Sequence, residues 1–213
     1  MSYDFAVLVP EAVGNSVADT LAEAQRLSDD TGSTEAVDER IAAFHEDLVA
    51  LVDALPEDAQ WLSVWPLEPA PRALSLPVPY PEAEGALLTL LRLAAAHGLV
   101  LVDLSSESVD LPAPGVPVSV RGGDGTRMGA LTHERLGELV SGLAQPDPYL
   151  VLDRGNRFAQ TYLADDGTYL LEHSGPDGHV GTTVTTPDVV TTELWRWLTD
   201  DPEFGHGLSF SAV

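Results

Sequence analysis

The chain has 213 residues, with 34 Asp and Glu against 10 Arg and no Lys, giving a net charge of −24 at pH 7; it contains no cysteine. Its 44% hydrophobic content is enough for a buried core, and the missing sulfur excludes disulfides, thiolate nucleophiles, zinc–thiolate sites and iron–sulfur clusters. A nucleic-acid binder presents a basic face and an anionic membrane repels an acidic one, so neither partner is expected.

Residues 5–9 are a short apolar run closed by Pro10 and predict a first strand; Asn15 and Ser16 then cap a helix reaching about residue 27. Ser33 or Thr34 is expected to cap a second helix. There Val37, Ile41, Phe44, Leu48, Leu51, Val52 and Leu55 recur at steps of three and four and form one apolar stripe. Between Trp61 and Trp65 apolar and polar side chains alternate as in a half-buried strand, with residues 73–78 as its hairpin partner across a proline-rich connection. Pro81 opens an Ala- and Leu-rich helix that stops at His97 and Gly98, and the apolar run 99–104 suits a buried strand. The predicted order is β-α-α-β-β-α-β.

A break at Pro112, Pro114 and Gly115 divides the chain, and the net charge changes from −16 over 1–112 (4 Arg, 20 acids) to −8 over 113–213 (6 Arg, 14 acids). Two small α+β domains, 1–112 and 113–213, are predicted. The second begins with a strand at 116–120, a Gly-rich loop, a helix at about 131–143 and a strand at 149–152. Residues 158–164 and 168–173 flank Asp165-Asp166-Gly167, whose Asp-Gly pair signals a hairpin turn, and a further turn leads to 180–185, completing an antiparallel meander. Thr186 as N-cap, Pro187 in the first turn and Asp188 near the positive helix end open a final helix carrying Val190, Leu194, Trp195, Trp197 and Leu198.

The Gly-rich segment from Gly122 to Gly129 stands between a predicted strand and helix, the context in which backbone N–H groups cradle phosphate. It fits neither G-x-G-x-x-G nor P-loop spacing, and Asp124 repels an anion, so a flexible connection is the first reading and an anion site the second. No two of the six histidines share the i, i+4 spacing of a zincin, and no metal or cofactor is expected. Glu172, His173 and His179 fall on neighbouring strands with Asp177 between them. Glu172 and His173 point to opposite faces, so at most one joins His179. This hairpin and the Gly-rich segment support the alternative of a small enzyme or small-molecule-binding domain. Serine nucleophiles lack a G-x-S-x-G elbow, and Ser-x-x-Lys is impossible without Lys. The four tryptophans are expected in the core, with an aromatic binding anchor as the other reading.

The Arg-only basic set, with abundant Ala, Leu, Val, Asp and Gly, looks like the coding bias of a GC-rich bacterium, and a salt-adapted proteome is a second source of acidity. Tyr3-Asp4-Phe5 carries an acid where a signal peptide carries positive charge, and no apolar run approaches the roughly 20 residues that span a bilayer, so a cytoplasmic location is expected. Tyr3-Asp4-Phe5-Ala6-Val7 resembles the opening of small actinobacterial proteins. Ala159-Gln160-Thr161-Tyr162, Tyr169-Leu170-Leu171-Glu172 and Trp195-Arg196-Trp197 resemble segments of immunity-type proteins of bacterial polymorphic toxin systems. The resemblance implies a cytoplasmic, non-enzymatic protein that neutralises or binds a partner. Joined with the charge, it predicts an inhibitor whose acidic face meets a basic, toxin-like protein, with Asp153, Asp165, Asp166, Glu172 and Asp177 as contacts.

Overall fold

At the centre of the first sheet lies β1 (Ser2–Leu8), whose Phe5, Ala6, Val7 and Leu8 have no solvent exposure. The structure, a computed structural model, describes residues 2–28, 34–56, 60–175 and 178–213 and shows an α+β fold in two units, Met1–Ala113 and Pro114–Val213. In the first unit β1 pairs antiparallel with both β2 (Ala73–Pro79) and β3 (Val100–Asp103), and β4 (Ser108–Asp110) extends the sheet beyond β3. Burial on both sides explains why residues 5–8 of β1 and 100–102 of β3 read as unbroken apolar runs, since neither face calls for polar residues there. Pro77 and Pro79, which have no amide to donate, fall on β2, an edge strand of this sheet.

Helices α1 (Val17–Ser28), α2 (Glu39–Asp53) and α3 (Ala83–Ala96) add Ala24, Ile41, Phe44, Leu48, Val52 and Leu90 to the same core. Ser16 caps α1 through its hydroxyl, which accepts from the Asp19 amide at 3.1 Å. The second helix starts later than its sequence predicts: its N-cap is Asp38, accepting from the Arg40 amide at 2.9 Å, while Thr34 lies outside the helix and Ser33 outside the described residues. Asp38 also binds the Arg40 guanidinium, which reaches on to Glu11, and this charge holds both carboxyls below their usual range. A cap that serves a helix amide and an arginine together outcompetes a hydroxyl four residues upstream.

Residues 61–65 form no strand: β2 pairs with β1 on one edge, and on its free edge, where Pro77 and Pro79 have no amide to give, the loop meets it through the Ser63 amide, which donates to the Pro77 carbonyl at 2.8 Å. Trp61 and Leu62 lie against the core as loop residues, while Trp65 is 44% exposed. The order in this unit is therefore β-α-α-β-α-β-β. Asp103, buried at the end of β3, accepts from the Tyr3 hydroxyl at 2.8 Å and from the amides of Ser105 and Ser106.

The second unit is one seven-stranded antiparallel sheet. Its strands β5 (Val116–Gly122), β6 (Arg127–Leu131), β7 (Tyr149–Asp153), β8 (Phe158–Leu163), β9 (Tyr169–Gly175), β10 (Gly178–Val184) and β11 (Ser211–Ala212) lie in the order β11-β10-β9-β8-β7-β5-β6. The meander of β7 to β10 matches its sequence pattern, and the turn acids hold it: Asp166 accepts from the Thr168 amide at 3.0 Å, and Gly167 takes φ 84°. Helices α4 (His133–Ser141) and α5 (Pro187–Leu198) contribute Leu136, Val140, Val190, Leu194 and Trp197 to a core shared with Leu150, Leu152, Ala159 and Leu171 of the sheet. By alternation the opposite face carries Val151, Gln160, Tyr162, Leu170 and Glu172.

The segment from Gly122 to Gly129 is not a loop between strand and helix. Arg127–Leu131 is strand β6, with Arg121 opposite Arg127, and the helix begins only after Thr132, whose hydroxyl accepts from the Arg135 amide at 3.2 Å. The cause is a second Asp-Gly turn: Asp124 accepts from the Thr126 amide at 2.9 Å, and Gly125 takes φ 88°. Thr186 precedes α5 but makes no side-chain capping bond.

After α5 the chain is tied back at several points. Arg154 donates to the Leu198 carbonyl at 3.0 Å and to Asp200 at 2.8 Å; Arg157 also binds Asp200 and lies 5.4 Å from the Trp197 ring centroid. Phe204 and Phe210 both meet the His173 ring edge-on at 5.0 Å, and β11 completes the sheet beside β10. This burial pushes the His173 pKa below the usual imidazole value, and the charge of His179 acts in the same direction. The folded chain thus favours the neutral ring. Its contribution to stability is full above the unfolded value near 6.5 and is lost as pH falls through the lower folded value. Amide protection across residues 204–212 is expected to drop as pH falls below the usual imidazole value, and His173→Phe should remove that step. An equal drop in the variant would assign the effect elsewhere.

Candidate functional site

Antiparallel pairing brings three connections to one end of the second sheet: the β5–β6 turn, the segment between α4 and β7, and the β8–β9 turn. The Gly123 amide donates to the Tyr149 carbonyl at 3.0 Å, the Leu163 amide to the Pro148 carbonyl at 2.9 Å, and the Gln145 side chain to Asp165 at 2.9 Å. Gly123 is required here for space, because a Cβ would overlap the Asp147 carbonyl oxygen. The glycine that suggested a phosphate cradle therefore serves a close backbone approach.

Between the β5–β6 turn, α4 and β7 lies a cavity of about 400 Å³, with Leu139, Leu143 and Leu150 among its apolar walls and Asp124, Glu138 and Asp147 among its polar ones. Arg135 also lines it and pairs with Glu138 at 2.6 Å. Hydrogen bonds from Thr126, aided by the Arg135 charge, hold the Asp124 carboxyl below its usual range. On the sheet face away from α5, Tyr162 and Leu170 stand directly opposite each other and are 43% and 36% exposed. Tyr149 faces Tyr162 from β7, and the Asp165-Asp166 turn follows immediately. Large apolar side chains exposed as neighbours and bordered by carboxylates have the composition of an interface.

The five acids expected to contact a partner do not form one patch. Asp165 and Asp166 lie at the cavity end. Asp153 lies at the other end of the strands, where it accepts from the Gly155 amide at 2.7 Å. Glu172 is 6% exposed in the middle of the sheet, where it accepts from Gln160, and Asp177 is outside the described residues. Glu138, Asp147, Tyr162 and Leu170 are not among the residues the sequence singles out as a site, and Asp124 enters there only as a residue that repels an anion. Asp124-Gly125 carried the same turn signal as Asp166-Gly167, whereas the exposure of Tyr162 depends on which sheet face the helices cover.

On the hairpin, Glu172 rather than His173 shares a face with His179, at 3.7 Å between Oε2 and Nε2. The Ser174 hydroxyl on that face accepts from the Phe158 amide at 2.8 Å. Gly181 leaves room for Val213: a Cβ there would stand 2.8 Å from the valine side chain and 3.1 Å from Glu172. Among the described residues no three His, Asp or Glu are grouped to hold a metal ion, and no helix is long and apolar enough to cross a membrane. Trp197 is buried and Trp195 meets His133 edge-on at 5.4 Å, so both tryptophans of α5 serve packing. In comparisons with known proteins, no family model, curated protein or solved structure matches the chain.

Proposed function

We propose that the protein is a non-enzymatic binding protein, an immunity-like inhibitor that engages a basic partner protein through the acidic end of its second unit. The observation that carries this reading is the exposed Tyr162 and Leu170 pair beside the Asp165-Asp166 turn. The aromatic and aliphatic side chains supply desolvated contact area, and the carboxylates set the sign of the partner. A chain charge of −24 supports the same reading, since it speeds encounter with a cationic surface in a salt-dependent way. An enzyme working through the Glu172–His179 hairpin has less support: Glu172 is enclosed, and the nearby Ser174 hydroxyl bonds backbone rather than His179.

Affinity capture from the source lysate, with the intact chain as bait at low and high salt, tests the proposal. One basic protein should be retained in stoichiometric amount at low salt and weakened at high salt. The Tyr162→Ala change should weaken it by about 30-fold, the effect of losing a hot spot of about 2 kcal/mol. Retention indifferent both to salt and to Tyr162→Ala, or no stoichiometric partner, would contradict it.

A further inference from the structure

We infer that the cavity beside α4 binds a compact organic cation, an ammonium or guanidinium head on an aliphatic stem. The inference goes beyond protein docking, because it needs only the cavity. At about 400 Å³ the space falls within the range of small-molecule sites and exceeds what an ordered water or bare ion fills. Leu139, Leu143 and Leu150 give it an apolar part that suits carbon rather than a hydrated ion.

Two separate features set the sign of the ligand. Asp124, Glu138 and Asp147 outweigh Arg135, whose guanidinium already pairs with Glu138. The carboxyl-terminal end of α4 also opens here, since Leu139 and the helix cap Gly142 both line the cavity, and this end of a helix carries partial negative charge. Asp124 stays ionised at neutral pH, held by Thr126 and Arg135. The walls are fixed in advance, through Gly123 to Tyr149 and Gln145 to Asp165, so little ordering opposes binding.

Such a head group has two sources: a free small molecule, or an Arg or Lys side chain of a protein. Amide NMR titration of the full chain with butylguanidinium, its neutral analogue butylurea and a short Arg-containing peptide separates them. Butylguanidinium should give saturable shifts at Gly122, Gly123, Gly142 and Leu143, and butylurea should bind at least tenfold more weakly. Asp124→Asn, which keeps the acceptor for the Thr126 amide, combined with Asp147→Asn removes two charges and should weaken butylguanidinium at least tenfold. Ala144→Trp, a bulky change at an exposed wall position, should weaken it without relying on those acids. A peptide that binds the same amides more tightly than butylguanidinium assigns the site to a protein side chain, and the reverse order assigns it to a free amine or guanidine. Equal binding of butylurea, or shifts spread to Asp153 and Asp200 at the far end, would overturn the inference. Tyr162→Ala should leave butylguanidinium binding unchanged, so failure of protein docking and failure of the cavity site are read separately.

Discussion

Adding a single methyl group at Gly123 is expected to destabilise the second unit by about 1–3 kcal/mol, the usual range for forcing an atom into filled space. For a unit of this size each kcal/mol lowers the melting temperature by about 4–8 °C. The reason is local and steric: a Cβ at this position meets the carbonyl oxygen of Asp147, a backbone atom that has no rotamer by which to move aside. The Gly123 amide is also bonded to Tyr149, so the turn cannot retreat without breaking the link between β5 and β7. Thermal unfolding of Gly123→Ala checks the size of the effect, and amide exchange checks its place, which should be the β5–β6 turn and residues 144–149. An unchanged melting temperature would mean that the two segments are not held together as described.

Removing the Glu193 carboxylate in the middle of α5 should produce a loss of comparable size. Glu193 is 3% exposed and accepts at once from Arg196 at 2.7 Å and from the Gly205 amide at 2.6 Å, joining α5 to the chain that follows it. Glu193→Ala leaves a guanidinium and an amide without that acceptor, at about 1.5–3 kcal/mol for bonds to a charged group. Because Arg196 is partly exposed, solvent recovers some of the charge interaction, which places the loss below that of a fully buried pair. Glu193→Gln retains an acceptor for Gly205 and should cost less than Glu193→Ala. Hydrogen exchange across residues 199–213 should rise in both variants, in that order. Equal effects of Gln and Ala would assign the stabilisation to charge alone.

These two residues also show what a sequence does and does not disclose. The meander was legible because Asp165-Asp166-Gly167 and the flanking alternation are local signals, and the stripe of Ile41, Phe44 and Leu48 identified α2 by period. The pairing of β2 with β1 was hidden, since it joins segments some 70 residues apart, and the local alternation between Trp61 and Trp65 offered a nearer but wrong partner. Strand β6 was hidden by its own glycine and by the glycines before it, which suggested a loop although Asp124-Gly125 is a hairpin turn. Glu172 and Glu193 are buried, although nothing in the sequence around either one marks it for enclosure. Each is met by a group that only the folded chain brings to it: Gln160 across the β8–β9 hairpin for the first, and the Gly205 amide from the chain after α5 for the second. The candidate site follows the same rule: Asp165 and Asp166 are visible as turn residues, but their grouping with Tyr162, Leu170 and the cavity is a product of sheet register.

The association rate of the captured partner, measured over a range of salt concentrations for the wild-type chain and for Asp165→Asn with Asp166→Asn, tests partner recognition at this end most directly. Asn at both positions keeps acceptors for Gln145 and Thr168 while removing two charges that border the Tyr162 and Leu170 pair. The variant should associate several-fold more slowly at low salt, with a shallower dependence on ionic strength, and should approach the wild-type rate at high salt. Identical rates and identical salt dependence in the two chains would contradict recognition of a basic protein through the acidic end of the second sheet.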